Sequence, residues 1–304
     1  MAPIKTVVLA GATGNIGAPV LQALLDSGFE VTALTRASSN STFPSNVKVA
    51  KVDYDNLEQL TEALKGQDAL ISTITTAGVG GQDKLVDAAI AAGVKRLIPS
   101  EFGSNTLNAN ASKLPVYGPK VAIQKAIESK VKGMETTYTY VINNAFLDWG
   151  IERPFLVDLK GKKFAVYDGG NVPFSATTLG SIAKATANIL KHPDETANRA
   201  VYIHDMILTQ NQLLAAAQKV LGSEGWTVEQ KSTEETEKQA WDAFKADAAN
   251  APAWVYGFLL RTIYGGKAYE SAFGEEDNKL LGLNGKSEND LEEIVRKAAQ
   301  TLSV

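Results

Sequence analysis

The feature that most constrains this chain is a glycine-rich turn near its start. A largely apolar run over residues 4–10 leads into Gly11, Gly14 and Gly17, and residues 18–25 then repeat apolar side chains at helical spacing. This order predicts a buried strand, a turn and a helix. Backbone N–H groups and the helix dipole in such a turn favour a phosphate, and glycine lets the backbone approach it closely. The sequence therefore predicts a cradle for the pyrophosphate of a dinucleotide.

This interpretation depends largely on the order of predicted strands and helices around the turn. Its Gly-x-x-Gly-x-x-Gly spacing differs from the commoner Gly-x-Gly-x-x-Gly, so an ordinary glycine-bearing connection is the alternative. Further apolar strands are predicted at residues 30–35, 47–52, 68–74, 96–100 and 136–142. Helical patterns separate most of them, which is typical of a parallel sheet covered on both faces. We expect an α/β fold with a doubly wound parallel sheet, the NAD(P)-binding Rossmann fold.

Composition excludes several classes of function. A net charge of −4 without a basic cluster argues against nucleic acid as a ligand. The chain has no cysteine and two isolated histidines, so we expect neither a disulfide nor a metal site. No apolar run approaches the roughly 18 residues of a membrane span, and the first strand leaves no room for a secretory signal. We expect a cytoplasmic protein that does not bind membranes, either a monomer or a homodimer.

Arg36 ends the second predicted strand, at a position that distinguishes the two nicotinamide cofactors. NAD-binding folds usually place an acidic residue here for the ribose hydroxyl, whereas an arginine suits the additional phosphate of NADP. Arg36 therefore favours NADP(H). The alternative is a solvated surface arginine, because residues 37–47 contain no second basic residue to help bind the phosphate.

Two loops follow strand ends where ligands of such folds bind. Residues 75–81 follow the fourth strand and Thr73, and they hold three glycines beside the expected path of the nicotinamide. Residues 104–112 are mostly Ser, Asn, Thr and Ala, with too little apolar surface to bury themselves. We expect a mobile loop there, which either closes over the substrate or is simply solvated.

Lys120 follows Pro119, a residue that favours the first turn of a helix. The helix dipole disfavours a cation in that turn, which lowers the pKa of a lysine and suits it to acid or base catalysis. An exposed helix lysine is the alternative. Tyr117 lies just outside the predicted helix, and we interpret it as a wall of the pocket rather than a catalyst.

Several of these segments together resemble a known family. They are GlyAlaThrGlyAsnIleGly at 11–17, ValLysArgLeuIleProSerGluPheGly at 94–103, Lys120 with its flanking helix, ThrTyrThrTyrValIleAsnAsnAlaPhe at 137–146 and TyrAspGlyGlyAsn at 167–171. This set resembles the isoflavone-reductase-like branch of the NmrA-like atypical short-chain dehydrogenases, which includes phenylcoumaran benzylic ether and pinoresinol-lariciresinol reductases. The resemblance is good over residues 1–190 and weak beyond them.

The resemblance implies NADPH-dependent reduction of a small aromatic molecule, with Lys120 acting in proton transfer. It places the cofactor against Gly11, Thr13, Gly14, Asn15, Ile16, Gly17, Arg36, Thr73, Lys120, Asn144 and Phe146. A turn asparagine and a core phenylalanine are the alternatives for Asn144 and Phe146. The chain departs from the family pattern in two places: it lacks a second basic residue after the second strand, and it has Gln124 where members carry an arginine.

The remainder of the chain is expected to build the substrate site. We assign residues 1–155 to the NADP-binding domain, with 175–205 packing back onto it, and 206–304 to a smaller, mainly helical substrate region to which 156–174 contribute. Residues 162–171 suggest a hairpin, and residues 251–263 either a buried helix or the apolar wall of an aromatic pocket. Few charged residues are expected nearby. The predicted pocket residues are Phe102, Tyr117, Trp149, Tyr167, Trp254 and Phe258.

Three functions fit these patterns. The first is an NADPH-dependent reductase of an aromatic or conjugated substrate, with Lys120 transferring the proton. The second is a non-catalytic NADP-sensing regulator, as parts of the NmrA-like group resemble. The third is an isomerase or rearrangement enzyme that keeps or recycles the cofactor on the same fold. A lysine at position 120 favours an enzyme over a regulator.

Overall fold

A computed structural model describes residues 3–75, 78 and 81–304 of the chain. The strands within these residues are β1 (Thr6–Ala10), β2 (Glu30–Arg36), β3 (Lys48–Val52), β4 (Ala69–Ser72), β5 (Arg96–Ile98), β6 (Thr137–Ile142), β7 (Ala145–Phe146), β8 (Lys163–Tyr167), β9 (Phe174–Thr177), β10 (Arg199–Tyr202), β11 (Met206–Leu208) and β12 (Thr227–Lys231). The helices are α1 (Gly17–Asp26), α2 (Leu57–Leu64), α3 (Gln82–Ala91), α4 (Gly118–Lys130), α5 (Leu147–Glu152), α6 (Leu179–Ile189), α7 (Gln210–Leu221), α8 (Thr233–Ala246), α9 (Val255–Tyr264) and α10 (Glu288–Leu302).

The central sheet has seven strands in the order β10-β6-β5-β4-β1-β2-β3, and every neighbouring pair is parallel. β1 pairs with β2 on one side and with β4 on the other, so the strand order reverses at β1. Ligands of such sheets bind beyond the carboxyl ends of the strands at this point. The predicted doubly wound α/β fold is confirmed.

The sequence of β1 explains why helices cover both faces of the sheet. Successive side chains of a strand point to opposite faces, and all four from Val7 to Ala10 are fully buried. Val7 and Leu9 join a core that contains α1 and α6, whereas Val8 and Ala10 join a second core that contains α2, α3 and α4. The strand is therefore apolar along its length because neither of its faces meets water.

A third core lies in the C-terminal half of the chain. It joins α5, α7 and α10 to a three-stranded sheet of order β11-β9-β7 and to β8, which pairs with the exposed strand β12. Residues 175–205 contribute to the first core, because α6 packs on α1 and β10 becomes an edge strand of the central sheet. The domain boundaries drawn at 155 and 206 remain predictions.

Two local expectations were wrong. β8 does not form a hairpin with the residues after it, because it pairs in parallel with the distant β12. The segment 104–112 is anchored rather than loose: Ser104, Asn105 and Thr106 are buried. The hydroxyl of Ser104 is hydrogen-bonded to that of Thr262 at 2.9 Å, and Asn110 donates to the Ala268 carbonyl at 2.9 Å. The segment has few apolar side chains to bury it, and hydrogen bonds of its polar side chains hold it in place instead.

None of the helices in the described ranges combines the length and apolar character needed to cross a bilayer. Across the same ranges, no group of His, Asp or Glu side chains is arranged to hold a metal ion.

Candidate active site

The glycine turn between β1 and α1 packs against the end of β4. Gly11 has a φ of +81°, and a Cβ there would lie 2.8 Å from the carbonyl carbon of Thr73. A Cβ on Gly17 would lie 2.0 Å from the carbonyl oxygen of Gly11. Thr73 fixes this contact because its backbone N–H and its hydroxyl both donate to the Ala10 carbonyl at 2.9 Å. Only glycine fits at positions 11 and 17.

The start of α1 suits an anionic ligand. Ile16 is the N-cap residue and supplies no side-chain hydrogen bond, and the first turn contains no acidic residue. The N–H groups there therefore have no side-chain acceptor. Thr13 and Asn15 are exposed at the same turn, while Gly14 closes it by donating to the Gly11 carbonyl at 2.9 Å. These residues fit the pyrophosphate of a dinucleotide.

Arg36 lies at the same edge of the sheet. β2 runs beside β1 in parallel register, with Leu34 opposite Ala10, so the end of β2 is close to the glycine turn. The Arg36 side chain is exposed and has no ion pair or hydrogen bond within the described part of the chain. Burial raises the pKa of the neighbouring Tyr54 to about 12, and the positive charge of Arg36 works against that shift. The guanidinium is therefore free to meet a phosphate.

Lys120 lies in the first turn of α4, as predicted, and it is buried, which contradicts the alternative of an exposed helix lysine. Its Nζ donates to the main-chain carbonyl of Glu101. Burial lowers the pKa of Lys120, and the negative charge of Glu101 acts in the opposite direction. The direction of the shift agrees with the sequence-based expectation, whereas its main cause is burial instead of the helix dipole.

Glu101 is a buried carboxylate that the sequence reasoning missed. Burial raises its pKa, while Lys120 and two hydrogen-bonding neighbours lower it. Thr106 donates its hydroxyl to Oε2 of Glu101 at 2.7 Å, and Nε2 of Gln124 donates to the Thr106 hydroxyl at 2.7 Å. Gln124, the departure from the family pattern, thus completes this network. A lone glutamate directly after an apolar strand was the signal that could have identified Glu101.

A cavity of about 720 Å³ is lined almost entirely by residues that follow position 148 in the chain. This volume lies within the range of small-molecule sites. Asn15 of the glycine turn is one of its lining residues, so the cavity adjoins the proposed pyrophosphate cradle. The full lining is Asn15, Trp149, Arg153, Pro154, Phe155, Leu156, Val157, Asp158, Lys163, Phe164, Ala165, Tyr167, Gln210, Thr227, Glu229, Tyr256, Leu260 and Tyr264.

Two of the predicted pocket residues line this cavity, namely Trp149 and Tyr167. Four do not. The ring of Phe102 is buried in the core of the central sheet. Tyr117 is buried beside α9 and shares a hydrogen bond of 2.8 Å with the Thr262 hydroxyl. Trp254 and Phe258 are covered on that same side of α9, as described next.

The helix α9 does form a wall of the cavity, but with the face opposite to the predicted one. Tyr256, Leu260 and Tyr264 line the cavity at intervals of four residues. Phe258 is fully buried with Trp254 against α8, where the ring centroids of Trp241 and Phe258 lie 5.1 Å apart. Both alternatives stated for residues 251–263 therefore hold, one on each face of the helix.

Asn144 and Phe146 connect the sheet edge with the cavity. Asn144 is buried with a φ of +50° and donates Nδ2 to the Ser271 carbonyl at 2.6 Å, while its Oδ1 has no partner in the described residues. Phe146 meets Trp149 edge-on, with ring centroids 6.3 Å apart. Lys120 is not among the residues that line the cavity. The structure thus joins Asn15, Trp149 and Tyr167 around one space and places Lys120 outside its lining.

The cavity also contains charged side chains, contrary to expectation. They are Arg153, Asp158, Lys163 and Glu229. These residues come from the turn after α5 and from the paired strands β8 and β12. For Lys163 and Glu229 the expectation failed because the sequence does not show that β8 and the distant β12 pair with each other. The prediction for the glycine-bearing loop 75–81 falls on residues 76, 77, 79 and 80, which lie outside the described residues.

Comparisons with known proteins agree with this description. A model of the NmrA-like family matches residues 3–240. Oxidoreductase aprR of Aspergillus flavus is 40% identical over 240 residues, covering 77% of this chain and 80% of its own. Oxidoreductase poxI of Penicillium oxalicum is 33% identical over 299 residues, covering 96% and 93%. The solved structure of AtPrR2 with NADP+ and (+)pinoresinol covers 98% of this chain and 100% of its own, at a TM-score of 0.78 and 22% identity.

Proposed function

The chain belongs to the NmrA-like family, and we propose that it is an NADPH-dependent reductase of a small aromatic or conjugated molecule. The observation that carries the proposal is the contact between cradle and cavity. Asn15 of the glycine turn lines the same space as Trp149, Phe155 and Tyr256. A dinucleotide on the turn and an aromatic ligand among those rings would lie next to each other, as hydride transfer requires.

The residues that would hold the cofactor lie at one edge of the sheet. The uncapped start of α1 would receive the pyrophosphate, and Arg36 the 2′-phosphate that distinguishes NADPH from NADH. The unpartnered Oδ1 of Asn144 is a further acceptor near the end of β6. When bound, NADPH supplies the hydride for the reduction.

Lys120 is proposed to supply the proton that accompanies the hydride, so that the two add across one double bond of the substrate. Its burial supports this role, since a lowered pKa makes an ammonium group a stronger acid. The buried charge of Glu101 would keep Lys120 protonated until the transfer.

Cofactor binding tests the first half of the proposal. The wild type should bind NADPH more tightly than NADH, and Arg36→Ala should remove most of that preference. Charge-assisted hydrogen bonds of about 1.5–3 kcal/mol correspond to roughly 10- to 150-fold in affinity. Lys132→Ala, which removes an exposed lysine after α4, is the matched control and should change neither constant. Equal affinities for both cofactors in the wild type would refute the NADP assignment.

Measurement of turnover tests the second half of the proposal, which is the reduction of an aromatic or conjugated molecule. NADPH consumption should be measured with a panel of aryl ketones and aryl-conjugated alkenes, with sugars as the contrasting class. Oxidation of NADPH by an aromatic member and not by a sugar is the expected result. A protein that binds NADPH tightly and consumes it with no member of the panel would instead fit the regulator that the sequence left open.

A further inference from the structure

We infer that the molecule occupying this cavity carries a carboxylate, and that Arg153 is the residue that binds it. The inference deepens the proposed function and rests on it, because it takes the cavity as the substrate site. It concerns recognition only and involves no chemical step. Four charged side chains line the cavity, and the question is which of them remain available to a ligand.

The two acidic residues are already engaged. Oδ1 of Asp158 accepts a hydrogen bond of 2.8 Å from the backbone N–H of Gly161, which closes the tight turn before β8. Oε2 of Glu229 lies 3.1 Å from Nζ of Lys231 on the same strand. Each carboxylate thus has a donor of its own, which reduces its pull on the cations nearby.

The two basic residues are not engaged. Within residues 3–75, 78 and 81–304, neither the guanidinium of Arg153 nor the ammonium of Lys163 makes a hydrogen bond or an ion pair. Both residues are exposed, so water solvates their charged groups in the free protein. The charged groups that remain available to a ligand at this site are therefore both positive, and they favour the binding of an anion.

Arg153 is the better placed of the two because backbone hydrogen bonds to two aromatic residues hold its backbone. Its N–H donates to the Trp149 carbonyl at 2.9 Å, and its own carbonyl accepts from the N–H of Phe155 at 2.5 Å. Pro154 restricts Arg153 to the extended conformation it adopts, with φ −102° and ψ 143°. The rings of Trp149 and Phe155 lie 6.1 Å apart on either side of this residue in the sequence.

This arrangement suits an aromatic acid in particular. The rings of Trp149, Phe155 and Tyr256, which are tilted by 57° and 46° from one ring to the next, provide an apolar surface for an aryl group. A guanidinium presents two parallel N–H groups that match the two oxygens of a carboxylate, which an ester or an amide cannot reproduce.

The test compares acids with their own methyl esters, using benzoate, cinnamate and naphthoate as probes. Titration calorimetry on the NADP+-saturated protein should give at least tenfold tighter binding for an acid than for its ester. Arg153→Met should abolish this preference and leave the ester's affinity unchanged, and Arg153→Lys should retain only part of it. Lys160→Met removes an exposed lysine that is not among the lining residues and should have no effect.

Three results would overturn the inference: no acid binding more tightly than its ester, an equal loss for acid and ester in Arg153→Met, or the same loss in Lys160→Met. NADPH oxidation, measured with the ketones and conjugated alkenes of the reductase panel, separates this inference from the reductase proposal. Consumption of NADPH with neutral members but no preference for acids would refute the carboxylate site alone. Arg153-dependent binding of acids, together with no consumption of NADPH by any ketone or alkene of the reductase panel, would refute the reductase instead.

Discussion

The Nζ of Lys120 donates to the main-chain carbonyl of Glu101, whose own carboxylate is buried and holds the pKa of that lysine up against the effect of burial. Two groups of opposite charge are thus enclosed together at the carboxyl end of β5. Removing either one leaves the other without its counter-charge in a low-dielectric site. A substitution of Lys120 or Glu101 should therefore change both proton transfer and the free energy of unfolding.

Lys120→Met should reduce turnover by about 10²–10⁴-fold, the usual effect of removing a general acid or base. NADPH affinity should change far less. The unfolding free energy should fall by up to about 3–5 kcal/mol, since the change breaks a buried pair. Steady-state kinetics, cofactor titration and urea unfolding measure the three effects. Lys125→Met, on the exposed side of the same helix, is the control, and equal small effects in both variants would contradict the assignment of Lys120.

Glu101→Gln should shift the pH dependence of turnover without removing the acid itself. The carboxylate of Glu101 raises the pKa of Lys120, so the neutral amide should let that pKa fall. A general acid is lost as pH rises through its pKa, and the alkaline limb of kcat/KM should therefore move to lower pH. Glu135→Gln, an exposed carboxylate after α4, should leave the limb in place. An unmoved limb in Glu101→Gln would show that Glu101 has no electrostatic influence on the reaction.

Local patterns predicted most of the fold because local physics determines it. The continuous apolar run of β1 and the spacing of Gly11, Gly14 and Gly17 each depend on backbone geometry within a few residues. The predicted strands of the central sheet consequently agree with the structure to within a few residues at each end. The parallel order of that sheet followed from alternating strands and helices, since such connections leave few other topologies.

The site was harder to predict because its walls come from distant parts of the chain. The burial of Lys120 depends on Glu101 and the anchored segment after it, which no periodicity encodes. The cavity-lining face of α9 depends on which side α8 covers, and Trp254 and Phe258 are as apolar as Leu260. A helix that is apolar around most of its circumference has no sequence signal to distinguish its two partners.

Gly17→Ala should disrupt the cradle. Its Cβ would fall 2.0 Å from the Gly11 carbonyl oxygen, so the turn must move. Overpacking of this kind costs about 1–3 kcal/mol, and the displaced N–H groups should no longer meet a pyrophosphate. Thermal unfolding should show the first effect and NADPH titration the second. Gly180→Ala in α6, where a Cβ would meet no atom within 4 Å, should be neutral or stabilising. Wild-type cofactor affinity in Gly17→Ala would contradict the proposed cradle.

Truncation of a side chain on one face of α9 should affect ligand binding, whereas truncation on the other face should affect stability. Tyr256 lines the cavity and is 54% exposed, so Tyr256→Ala should weaken aromatic ligands while changing stability little. Phe258 is fully buried between α8 and α9, so Phe258→Ala should cost about 3–5 kcal/mol of unfolding free energy. Ligand titration and urea unfolding on both variants make the comparison. Loss of stability in Tyr256→Ala, together with unchanged ligand affinity, would mean that Tyr256 supports the fold and takes no part in binding.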